Sequence, residues 1–357
     1  MTRLMNKVFR FFNRESQQFS YNRQWLKPVG RPVVFQIELT NHCPMTCEMC
    51  PRTHQMTRPL GFMEEVTYQR IIDEAARTTS RVFLHHFGES LVHPKLGDFI
   101  RYASDHGIRS YLSANPVLLT EARIRALVDN GLHELVLSLD GVTSATSEAV
   151  RGRAAHDVEL AEKRIHSLAE YRRQAGAKKP AIILQIVRQK QNVHEVEDWL
   201  RKWSESADVD RLKVKSFVTW DGREDRINRL RLDPEPNGSA VVCDKPWTSM
   251  TILWDGRVVP CCFDYDGILT LGIVGDQSLH DIWRGEKIQA LRSCHRDQNL
   301  ETVTLCSSCK DKEGYATRKW YYPFNRFLQK RTPLGDEWWP GAGNSPPALV
   351  QISSRRR

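Results

Sequence analysis

The sequence predicts an α/β fold in which strands and amphipathic helices alternate, followed by a smaller α+β domain. From Val33 to about Phe217, short apolar runs rich in β-branched residues alternate with segments of helical periodicity. Such alternation predicts repeated βα units and a parallel sheet. After about residue 220 the composition becomes charged and rich in Pro and Gly, and further cysteines follow. With 357 residues, 40% of them apolar, the chain can bury one large core and a smaller one.

Six strands account for the first part of the chain. The apolar runs place them near residues 33–40, 82–87, 109–113, 134–139, 181–187 and 211–217. Helical periodicity places the intervening helices near residues 64–78, 94–106, 121–130, 158–174 and 194–205. In barrels built from such units, functional side chains lie at the carboxyl ends of the strands. The residues that follow each strand are therefore the candidates for a site.

The N-terminal arm, residues 1–32, alternates basic and aromatic side chains, among them Arg10, Phe11, Phe12 and Trp25. It is interpreted either as a surface helix that docks a partner or as an extension packed across the barrel. The net charge of +9 is otherwise diffuse, with one more basic cluster at residues 355–357. Nucleic-acid binding is therefore not expected, and an anionic substrate explains the charge as well.

Composition argues against several protein classes. No run approaches the roughly 18 apolar residues of a membrane span, and the N-terminus lacks the apolar core of a secretory signal. Nine cysteines in such a chain are more typical of metal ligands or reactive thiols in a reducing compartment than of extracellular disulfides. We therefore expect a cytoplasmic protein without membrane contacts.

Three cysteines follow the first strand at close spacing, as Cys43-x-x-x-Cys47-x-x-Cys50. Thiolates are soft ligands that favour iron–sulfur clusters or zinc, and iron–sulfur clusters normally take four cysteines. Three ligands would hold a four-iron cluster with one open iron. The alternatives are a structural zinc site completed by His42 or His54, or a chance group of buried thiols.

This segment, together with the strand before it, resembles the signature of the radical S-adenosylmethionine (radical SAM) enzymes. The resemblance implies a partial (β/α)₆ TIM-like barrel and a [4Fe–4S] cluster held by the three cysteines, with SAM bound at the open iron. It also implies reductive cleavage of SAM to a 5′-deoxyadenosyl radical, with electrons from a flavodoxin- or ferredoxin-type donor. Met49 departs from the family, which usually has an adenine-packing aromatic residue here; a thioether can fill that role.

The loop after the second strand resembles the family's glycine–glycine–glutamate motif. By this resemblance Gly88 and Glu89 contribute to the SAM site, and Glu89 receives the SAM amino group. Phe87 stands in place of the first glycine and Ser90 in place of the usual proline, so the amine contact depends on Glu89.

Polar residues follow the third and fourth strands as well. The resemblance implies that Ser113, Asn115 and Ser138 line the ribose and methionine side of the SAM pocket. Arg151 lies where relatives place a basic residue for the SAM carboxylate, and a guanidinium suits bidentate carboxylate binding. Taken singly, each Ser or Asn is better explained as a turn or helix cap. Their positions at successive strand ends favour a common pocket.

The fifth and sixth strands carry polar residues that are unusual in a sheet interior, namely Gln185, Arg188, Lys213 and Lys215. Lys213 and Lys215 share one face of the sheet by alternation. Inside the barrel mouth they would hold an anionic or hydroxyl-rich substrate, which makes Lys213 a candidate catalytic residue. Outside the barrel they would be solvated edge charges.

A second cysteine module follows the charged segment. An Asp255-Gly256 pair between β-prone runs predicts a hairpin, and Ser278 predicts the start of a helix that extends to about Arg292. The module resembles the SPASM/Twitch extension of radical SAM enzymes. Its four ligands for one auxiliary [4Fe–4S] cluster are Cys243, Cys261, Cys306 and Cys309. This number favours the shorter Twitch form found in an aminocyclitol dehydrogenase of the family, and structural zinc is the alternative.

Two cysteines remain outside both groups. Cys262 and Cys294 are interpreted as inert buried thiols. The more specific hypothesis is that one of them donates a hydrogen atom to a substrate radical. Asp264 is a candidate substrate contact, because the resemblance places its loop at the barrel mouth.

These observations predict an arm (1–32), a radical SAM core barrel (33–220), a linker or lid (221–240), a SPASM/Twitch domain (241–320) and a C-terminal tail (321–357). The predicted activity is oxidation of an alcohol on a small molecule such as a sugar or aminocyclitol. Epimerisation or rearrangement, modification of a ribosomal peptide, and a non-enzymatic metal-binding or electron-transfer module are the alternatives. Barrel pockets are shaped by loops, so the sequence does not choose the substrate.

Overall fold

A computed structural model describes residues 3–232 and 242–309 and the backbone of residues 349–350, with side chains from Val8 onward in the first range. Most of the predicted linker's Pro and Gly residues and almost all of the predicted tail after Tyr321 lie outside these residues. The described helices and strands follow the predicted alternation closely.

The helices are Arg3–Asn22 (α1), Pro51–His54 (α2), Glu65–Ala75 (α3), Leu96–Asp105 (α4), Glu121–Asp129 (α5), Ser144–Arg151 (α6), Val158–Gln174 (α7), Val196–Ser204 (α8), Asp225–Asn228 (α9), Lys245–Thr248 (α10), Leu279–Arg284 (α11), Glu286–Arg296 (α12) and Thr304–Ser307 (α13). The strands are Val34–Ile37 (β1), Arg81–Phe83 (β2), Arg109–Ala114 (β3), Glu134–Ser138 (β4), Ala181–Arg188 (β5), Arg211–Ser216 (β6), Ser249–Ile252 (β7), Arg257–Val259 (β8), Gly272–Ile273 (β9) and Leu349–Val350 (β10).

All ten described strands form one sheet in the order β10-β6-β5-β4-β3-β2-β1-β7-β8-β9. Strands β1 to β6 pair in parallel with their sequence neighbours, which confirms the predicted α/β fold with six βα units. The hairpin β7–β8 is antiparallel, as the Asp-Gly pair predicts. Because β7 also pairs in parallel with β1 over four residues, the second cysteine module continues the sheet of the barrel.

The main core lies between this sheet and the helices that cover it. Helices α3, α4, α7 and α8 contribute Ile71, Phe99, Ile165 and Trp199, each at most 1% exposed, and the parallel strands contribute Val, Leu and Ile side chains. Parallel sheets covered by helices bury nearly continuous apolar strands, which explains the Ile182–Ile183–Leu184 run of β5.

Helix α1 packs at the amino ends of the parallel strands. Arg10 Nη2 donates to the carbonyl of Ala76 at 2.7 Å, and Asn13 Nδ2 donates to the carbonyl of Thr78 at 3.4 Å. Both acceptors lie in the connection that enters β2, so α1 covers the end of the barrel opposite to the carboxyl ends of the strands. No helix in the described part of the chain is both long and apolar enough to span a membrane.

Two elements differ from the expectations. The helix predicted from Ser278 to about Arg292 is divided into α11 and α12 at Gly285, whose backbone is extended (φ −66°, ψ 165°) and begins the second helix. Strand β2 ends at Phe83, four residues before the predicted end, because the chain beyond Leu84 leaves the sheet to form the loop that carries Gly88.

Candidate functional site

The loop of residues 43–50, here called the three-cysteine loop, is held on one side by the loop that follows β2. Gly88 has a φ of +139°, and a Cβ atom built on it would lie 2.1 Å from the carbonyl oxygen of Thr40. The adjacent Glu89 donates its backbone N–H to the carbonyl of His42 at 2.8 Å. Any side chain at position 88 would push the start of the three-cysteine loop away, which accounts for glycine there.

The end of α6 holds the other side of the three-cysteine loop. The backbone N–H of Thr46 donates to the carbonyl of Arg151 at 3.3 Å. Gly152 has a φ of +81° and a Cβ at that position would lie 1.9 Å from Thr46 Oγ1. The loop is therefore clamped between segments that follow β2 and β4, at the carboxyl edge of the sheet where functional residues are expected.

The thiols of this loop are close together and partly withdrawn from water, with Cys47 buried and Cys43 and Cys50 half-buried. Burial, then the negative charges of Glu89 and Cys47, raises the pKa of Cys43 to about 12. Burial, then Cys47, raises the pKa of Cys50 to about 12. Three thiolates in such a place are unfavourable as separate anions, and bound metal cations would offset both the burial and the repulsion. The donor set therefore fits an iron–sulfur cluster.

The carboxyl group of Glu89 is buried and fixed by two backbone groups. Leu91 N donates to its Oε1 at 3.0 Å, and Asn115 N donates to its Oε2 at 2.9 Å. Burial raises the pKa of Glu89 to about 7, although these hydrogen bonds oppose the shift. A dry carboxylate with fixed orientation suits an ammonium partner, because a cation there would return the pKa towards its ordinary value.

The other predicted SAM-site residues lie near the same edge of the sheet. Asn115 is 6% exposed and its side chain caps the following turn, accepting from Val117 N at 3.0 Å. Ser113 is half-buried, and Ser138 is buried with its Oγ 3.5 Å from Gln185 Nε2. The structure thus places the three at neighbouring strand ends, while their contacts with SAM stay a prediction. Met49 packs in the small apolar cluster that also contains Cys47.

Arg151 is engaged by groups of the protein itself. Its Nε donates to Asp140 Oδ2, and its Nη1 donates to Cys47 Sγ at 3.8 Å. Burial disfavours the guanidinium charge, but Asp140 and Cys47 outweigh it and raise the pKa of Arg151. Arg151 therefore links the end of β4 to the three-cysteine loop. Its predicted contact with the SAM carboxylate stays a prediction.

Two lysines of β6 act electrostatically on His85, which follows β2. Burial, then the positive charges of Lys215, His86 and Lys213, lowers the pKa of His85 to about 3. Strands β6 and β2 are separated by three strands of the sheet. The location of Lys213 and Lys215 in the barrel mouth, and a catalytic role of Lys213, stay predictions. His85 Nδ1 accepts from Ser113 N at 3.1 Å, so the proton of the neutral imidazole is on Nε2.

The predicted ligands of the second group surround one cavity of about 30 Å³. They are Cys243, Cys261, Cys306 and Cys309. All nine cysteines of the chain lie in its described part, and none of them forms a disulfide there. In the same part of the chain, no group of three or more His, Cys, Asp or Glu side chains is arranged around a position for a single metal ion.

The surroundings of these thiols suit sulfur ligands of a metal centre. Phe263 N donates to Cys261 Sγ at 3.4 Å, and His295 Nε2 lies 3.5 Å from Cys306 Sγ. A hydrogen bond with Cys262, then burial, raises the pKa of Cys261. Burial raises the pKa of Cys243 as well. Hydrogen bonds to sulfur and low exposure are the features that tune iron–sulfur clusters, and four thiolates complete a ligand set. The residues present therefore fit such a cluster.

Trp220 lies between the two cysteine groups. Its indole N–H donates to the carbonyl of Met49 at 2.8 Å, and its own carbonyl accepts from Cys309 Sγ at 3.8 Å. Its ring contacts Phe87 and Phe263 edge-on, with centroids 5.0 and 5.6 Å apart. Trp220 has a φ of +59°, a conformation that a non-glycine residue adopts only when its surroundings impose it.

A buried ionic network also joins the barrel to the second module. Glu38 is fully buried, and its carboxylate accepts hydrogen bonds from both terminal nitrogens of Arg58. His86 Nδ1 lies 3.2 Å from Glu38 Oε1. His86 Nε2 lies 2.9 Å from the carbonyl of Cys262, and Arg58 Nε donates to the carbonyl of Tyr265 at 2.5 Å. Burial disfavours the carboxylate, but His86 and Arg58 outweigh it and hold the pKa of Glu38 below its ordinary value.

The three remaining candidates are placed as follows. Asp264 is 1% exposed, and its oxygens accept from Ile268 N and Leu269 N at 2.8 Å each, so the carboxylate shapes its own loop. Cys262 is hydrogen-bonded to Cys261. Cys294, on α12, packs against the main core. A substrate contact by Asp264 and hydrogen donation by either cysteine stay predictions.

Sequence reasoning missed Trp220, His295 and the Glu38–Arg58–His86 network. A Glu within an apolar strand and a His pair before a Gly-Glu loop were signals for part of the network. Trp220 and His295 have no local pattern, because each acts through contacts with distant segments.

Two family models match the chain. The model of the radical SAM superfamily matches residues 37–205, and that of an iron–sulfur cluster-binding domain, SPASM, matches residues 243–310. The first range runs from the last residue of β1 to the end of α8 and contains the three-cysteine loop, and the second contains every cysteine of the second group.

Curated relatives cover most of the chain. A tungsten-containing aldehyde ferredoxin oxidoreductase cofactor-modifying protein of Pyrococcus furiosus is 26% identical over 311 residues, 76% of this chain and 86% of the relative. An S-adenosyl-L-methionine-dependent 2-deoxy-scyllo-inosamine dehydrogenase of Niallia circulans is 20% identical over 282 residues, 78% of this chain and 92% of the relative. A PqqA peptide cyclase of Bradyrhizobium diazoefficiens is 28% identical over 54% of this chain and 48% of its own length.

Solved structures share the fold. SuiB of Streptococcus suis, bound to the precursor peptide SuiA, has a TM-score of 0.59 at 15% identity and covers 84% of this chain and 75% of its own. BtrN in complex with AdoMet and 2-DOIA has a TM-score of 0.54 at 18% identity, covering 79% and 94%. With both cysteine groups in matched domains, the chain is a radical SAM enzyme that uses SAM and a [4Fe–4S] cluster and carries a SPASM domain for auxiliary iron–sulfur binding.

Proposed function

We propose that this radical SAM enzyme oxidises an alcohol of a sugar or aminocyclitol to a ketone in natural-product biosynthesis. The observation that carries the proposal is the second site, where four thiols surround one cavity that Trp220 connects to the three-cysteine loop. Alcohol oxidation removes two electrons, so a redox centre near the first one provides an acceptor that a redox-neutral reaction does not need. The similarity to a 2-deoxy-scyllo-inosamine dehydrogenase, which covers 92% of that relative, supports the substrate class.

When bound, the two clusters would supply reductive cleavage of SAM at the first site and acceptance of one electron at the second. Cys43, Cys47 and Cys50 would hold the first, and Cys243, Cys261, Cys306 and Cys309 would hold the second. A flavodoxin- or ferredoxin-type protein would provide the electrons, in the reducing cytoplasm that nine cysteines with no disulfide among them in the described part of the chain favour.

The residues of the chain would bind and orient the reactants. Glu89 would hold the SAM ammonium, because its carboxylate is dry and already fixed by Leu91 N and Asn115 N. Lys213 and Lys215, whose charges lower the pKa of His85, would hold hydroxyl groups of the substrate. His85, neutral with its proton on Nε2, is suited to donate a hydrogen bond to a substrate oxygen rather than to remove a proton.

Modification of a ribosomal peptide is the second candidate function. The similarity to PqqA peptide cyclases favours it, but it covers 54% of this chain and 48% of the relative. The dehydrogenase relative is covered over 92% of its length, which is why the small-molecule alcohol is preferred.

The test is turnover of the anaerobically reconstituted enzyme with sugars and aminocyclitols that carry deuterium on each carbinol carbon. We expect deuterium in the 5′-deoxyadenosine product and one ketone for each SAM consumed. The Cys306→Ala variant should lose the ketone while SAM cleavage continues, and Cys294→Ala is the matched control. An isomeric product at the same oxidation level, lost in Cys262→Ala or Cys294→Ala with iron retained, would instead establish a redox-neutral reaction.

A further inference from the structure

A band of aromatic side chains is exposed on α1 and on the segment that follows it. The exposed fractions are 41% for Phe9, 42% for Phe11, 62% for Phe12, 49% for Phe19 and 42% for Trp25. The rings form pairs at the surface, with centroids 5.6 Å apart for Phe11–Phe12 and 5.3 Å apart for Phe19–Trp25. Single exposed apolar residues are ordinary, but four exposed aromatic rings on one helix and a fifth just after it indicate an interaction surface.

The opposite face of α1 is fixed to the protein, so the aromatic band is not a misplaced core face. Asn13, Gln17 and Ser20 are at most 6% exposed on that face. Tyr21 Oη donates to the carbonyl of Val242 at 2.6 Å. The helix therefore presents the band outward from a rigid support.

The band lies at the end of the barrel opposite to the site. Arg10 donates to the carbonyls of Ala76 and Gly107, which lie in the connections that enter β2 and β3. The three-cysteine loop follows the carboxyl end of β1, at the other edge of the same parallel sheet. A protein that delivers electrons must approach the cluster, so an electron donor is not the partner of this face.

The same end of the barrel is cationic. Burial, then the positive charges of Lys179, Arg109, Arg81 and Arg211, lowers the pKa of His133 to about 4. These four basic residues lie at the amino ends of β5, β3, β2 and β6, although Arg211 is also paired with Glu134.

The basic character continues along the chain segment that carries the aromatic band. Residues 3–27 contain six basic side chains and one acidic side chain. Among them Arg23 and Lys27 are exposed, and the guanidinium of Arg23 lies over the ring of Phe19, 5.5 Å from its centroid. Aromatic and cationic groups therefore occupy one end of the molecule together.

We propose that this end of the molecule binds the surface of a membrane containing anionic lipids, with the aromatic band of α1 inserted into the interface. Interfacial helices combine aromatic side chains with basic residues in this way and do not need to span the bilayer. Juxtaposed lysines and arginines add attraction to anionic headgroups. This conclusion departs from the expectation of a protein without membrane contacts, which followed from the lack of an apolar span.

Charge argues against the other occupants of this face. A second copy docked through the same face would bring two cationic ends together, and like charges oppose such an interface. The phosphates of nucleic acid would pair with the arginines, but phenylalanine side chains offer phosphates no hydrogen bonds. The boundary between headgroups and acyl chains of a bilayer, in contrast, can bury phenylalanine rings.

The test is co-sedimentation of the reconstituted full chain with vesicles of phosphatidylcholine alone or mixed with phosphatidylglycerol. We expect binding to the anionic vesicles that weakens as salt is added. The Phe11→Ser/Phe12→Ser variant should bind about tenfold more weakly or worse, because two rings no longer leave water. The matched control is Val66→Ser/Ile268→Ser, which alters residues 55% and 44% exposed elsewhere and should bind as the parent does.

Circular dichroism melting of each variant verifies that it is folded. The proposal is overturned if the parent does not bind anionic vesicles at low salt, or if the Phe11→Ser/Phe12→Ser variant binds them with the same affinity as the parent. A dimer that dissociates in that variant, without vesicle binding by the parent, would assign the face to a second copy. These measurements involve neither SAM nor a substrate alcohol, so their outcome is independent of the proposed oxidation.

Discussion

The two cysteine groups of this enzyme are assembled in different ways. The first occupies residues 43–50 of a single loop after β1, whereas the second gathers cysteines at positions 243, 261, 306 and 309 around one cavity. The three-cysteine loop is clamped by backbone contacts from the ends of β2 and α6. The second group depends on the relative placement of a hairpin and the short helix α13.

This difference shows what determines each site. In the first, chain spacing brings the ligands together, and the fold only has to aim the loop into the barrel mouth. In the second, the ligands meet only if distant segments pack correctly, so the site is as sensitive to tertiary packing as the core around it. Trp220 contacts Met49 of the first site and Cys309 of the second, so replacing it tests how strongly each site depends on tertiary packing.

The largest expected effect comes from Gly88→Ala. The new Cβ would meet the carbonyl oxygen of Thr40 at 2.1 Å, in a backbone region that disfavours side chains, so we expect a loss of about 3 kcal/mol or more in unfolding free energy. Iron binding by the three-cysteine loop should fall while the second group keeps its cluster. Chemical denaturation and iron content measure both effects.

The matched control is Gly176→Ala. Gly176 has a φ of +62° but no atom within 4 Å of an added Cβ, so it should cost only about 1 kcal/mol and leave both clusters intact. Equal losses in the two variants would show that Gly88 is required for its backbone angle alone and not for the contact with the three-cysteine loop.

Trp220→Ala should perturb both sites at once. It removes the hydrogen bond to Met49 and the ring contacts with Phe87 and Phe263, at a cost of about 3 kcal/mol in stability. We also expect changed electron paramagnetic resonance spectra of both clusters in the protein that remains folded. Trp199→Ala, in the main core, should destabilise at least as much without altering either spectrum. Unchanged spectra of both clusters in Trp220→Ala would show that Trp220 contributes only to packing.

The smallest effect is a pH dependence confined to the first site. Burial raises the pKa of Glu89 to about 7, and only the ionised carboxylate can pair with the SAM ammonium. SAM affinity should therefore increase about tenfold between pH 6 and pH 8, following the ionised fraction. Isothermal titration should show a flat, weaker profile for Glu89→Gln and the parental profile for the exposed Glu65→Gln. If SAM affinity in Glu89→Gln depended on pH as strongly as in the parent, the assignment of Glu89 as the partner of the SAM ammonium would be wrong.

The sequence predicted those features that depend on local patterns. The strand and helix positions agree within a few residues, since apolar periodicity reflects burial against the sheet. The spacing of Cys43, Cys47 and Cys50 was sufficient to predict a shared site, because the three cysteines lie in one loop. The four predicted ligands of the second group follow from the resemblance, and the structure places these four cysteines around one cavity.

The features that escaped prediction depend on contacts between distant segments. Trp220 has no distinguishing neighbours in sequence, and its importance follows from Met49 and Cys309, which lie 171 and 89 residues away. Similarly, the carboxylate of Glu38 is hydrogen-bonded to Arg58 and contacts His86, which only folding brings together. Alternation along β6 places Lys213 and Lys215 on one face of the sheet but does not define which face that is, so their location in the barrel mouth stays a prediction.

The central claim is that the chain holds two separable iron–sulfur sites. The direct test is iron and sulfide content, with electron paramagnetic resonance, of the reconstituted parent beside a Cys43→Ala/Cys47→Ala/Cys50→Ala variant and a Cys306→Ala/Cys309→Ala variant. We predict about eight irons per chain in the parent and about four in each variant, with SAM cleavage only where the first three cysteines remain. About four irons in the parent and none in the first variant would contradict the claim and leave the second cysteine group to zinc.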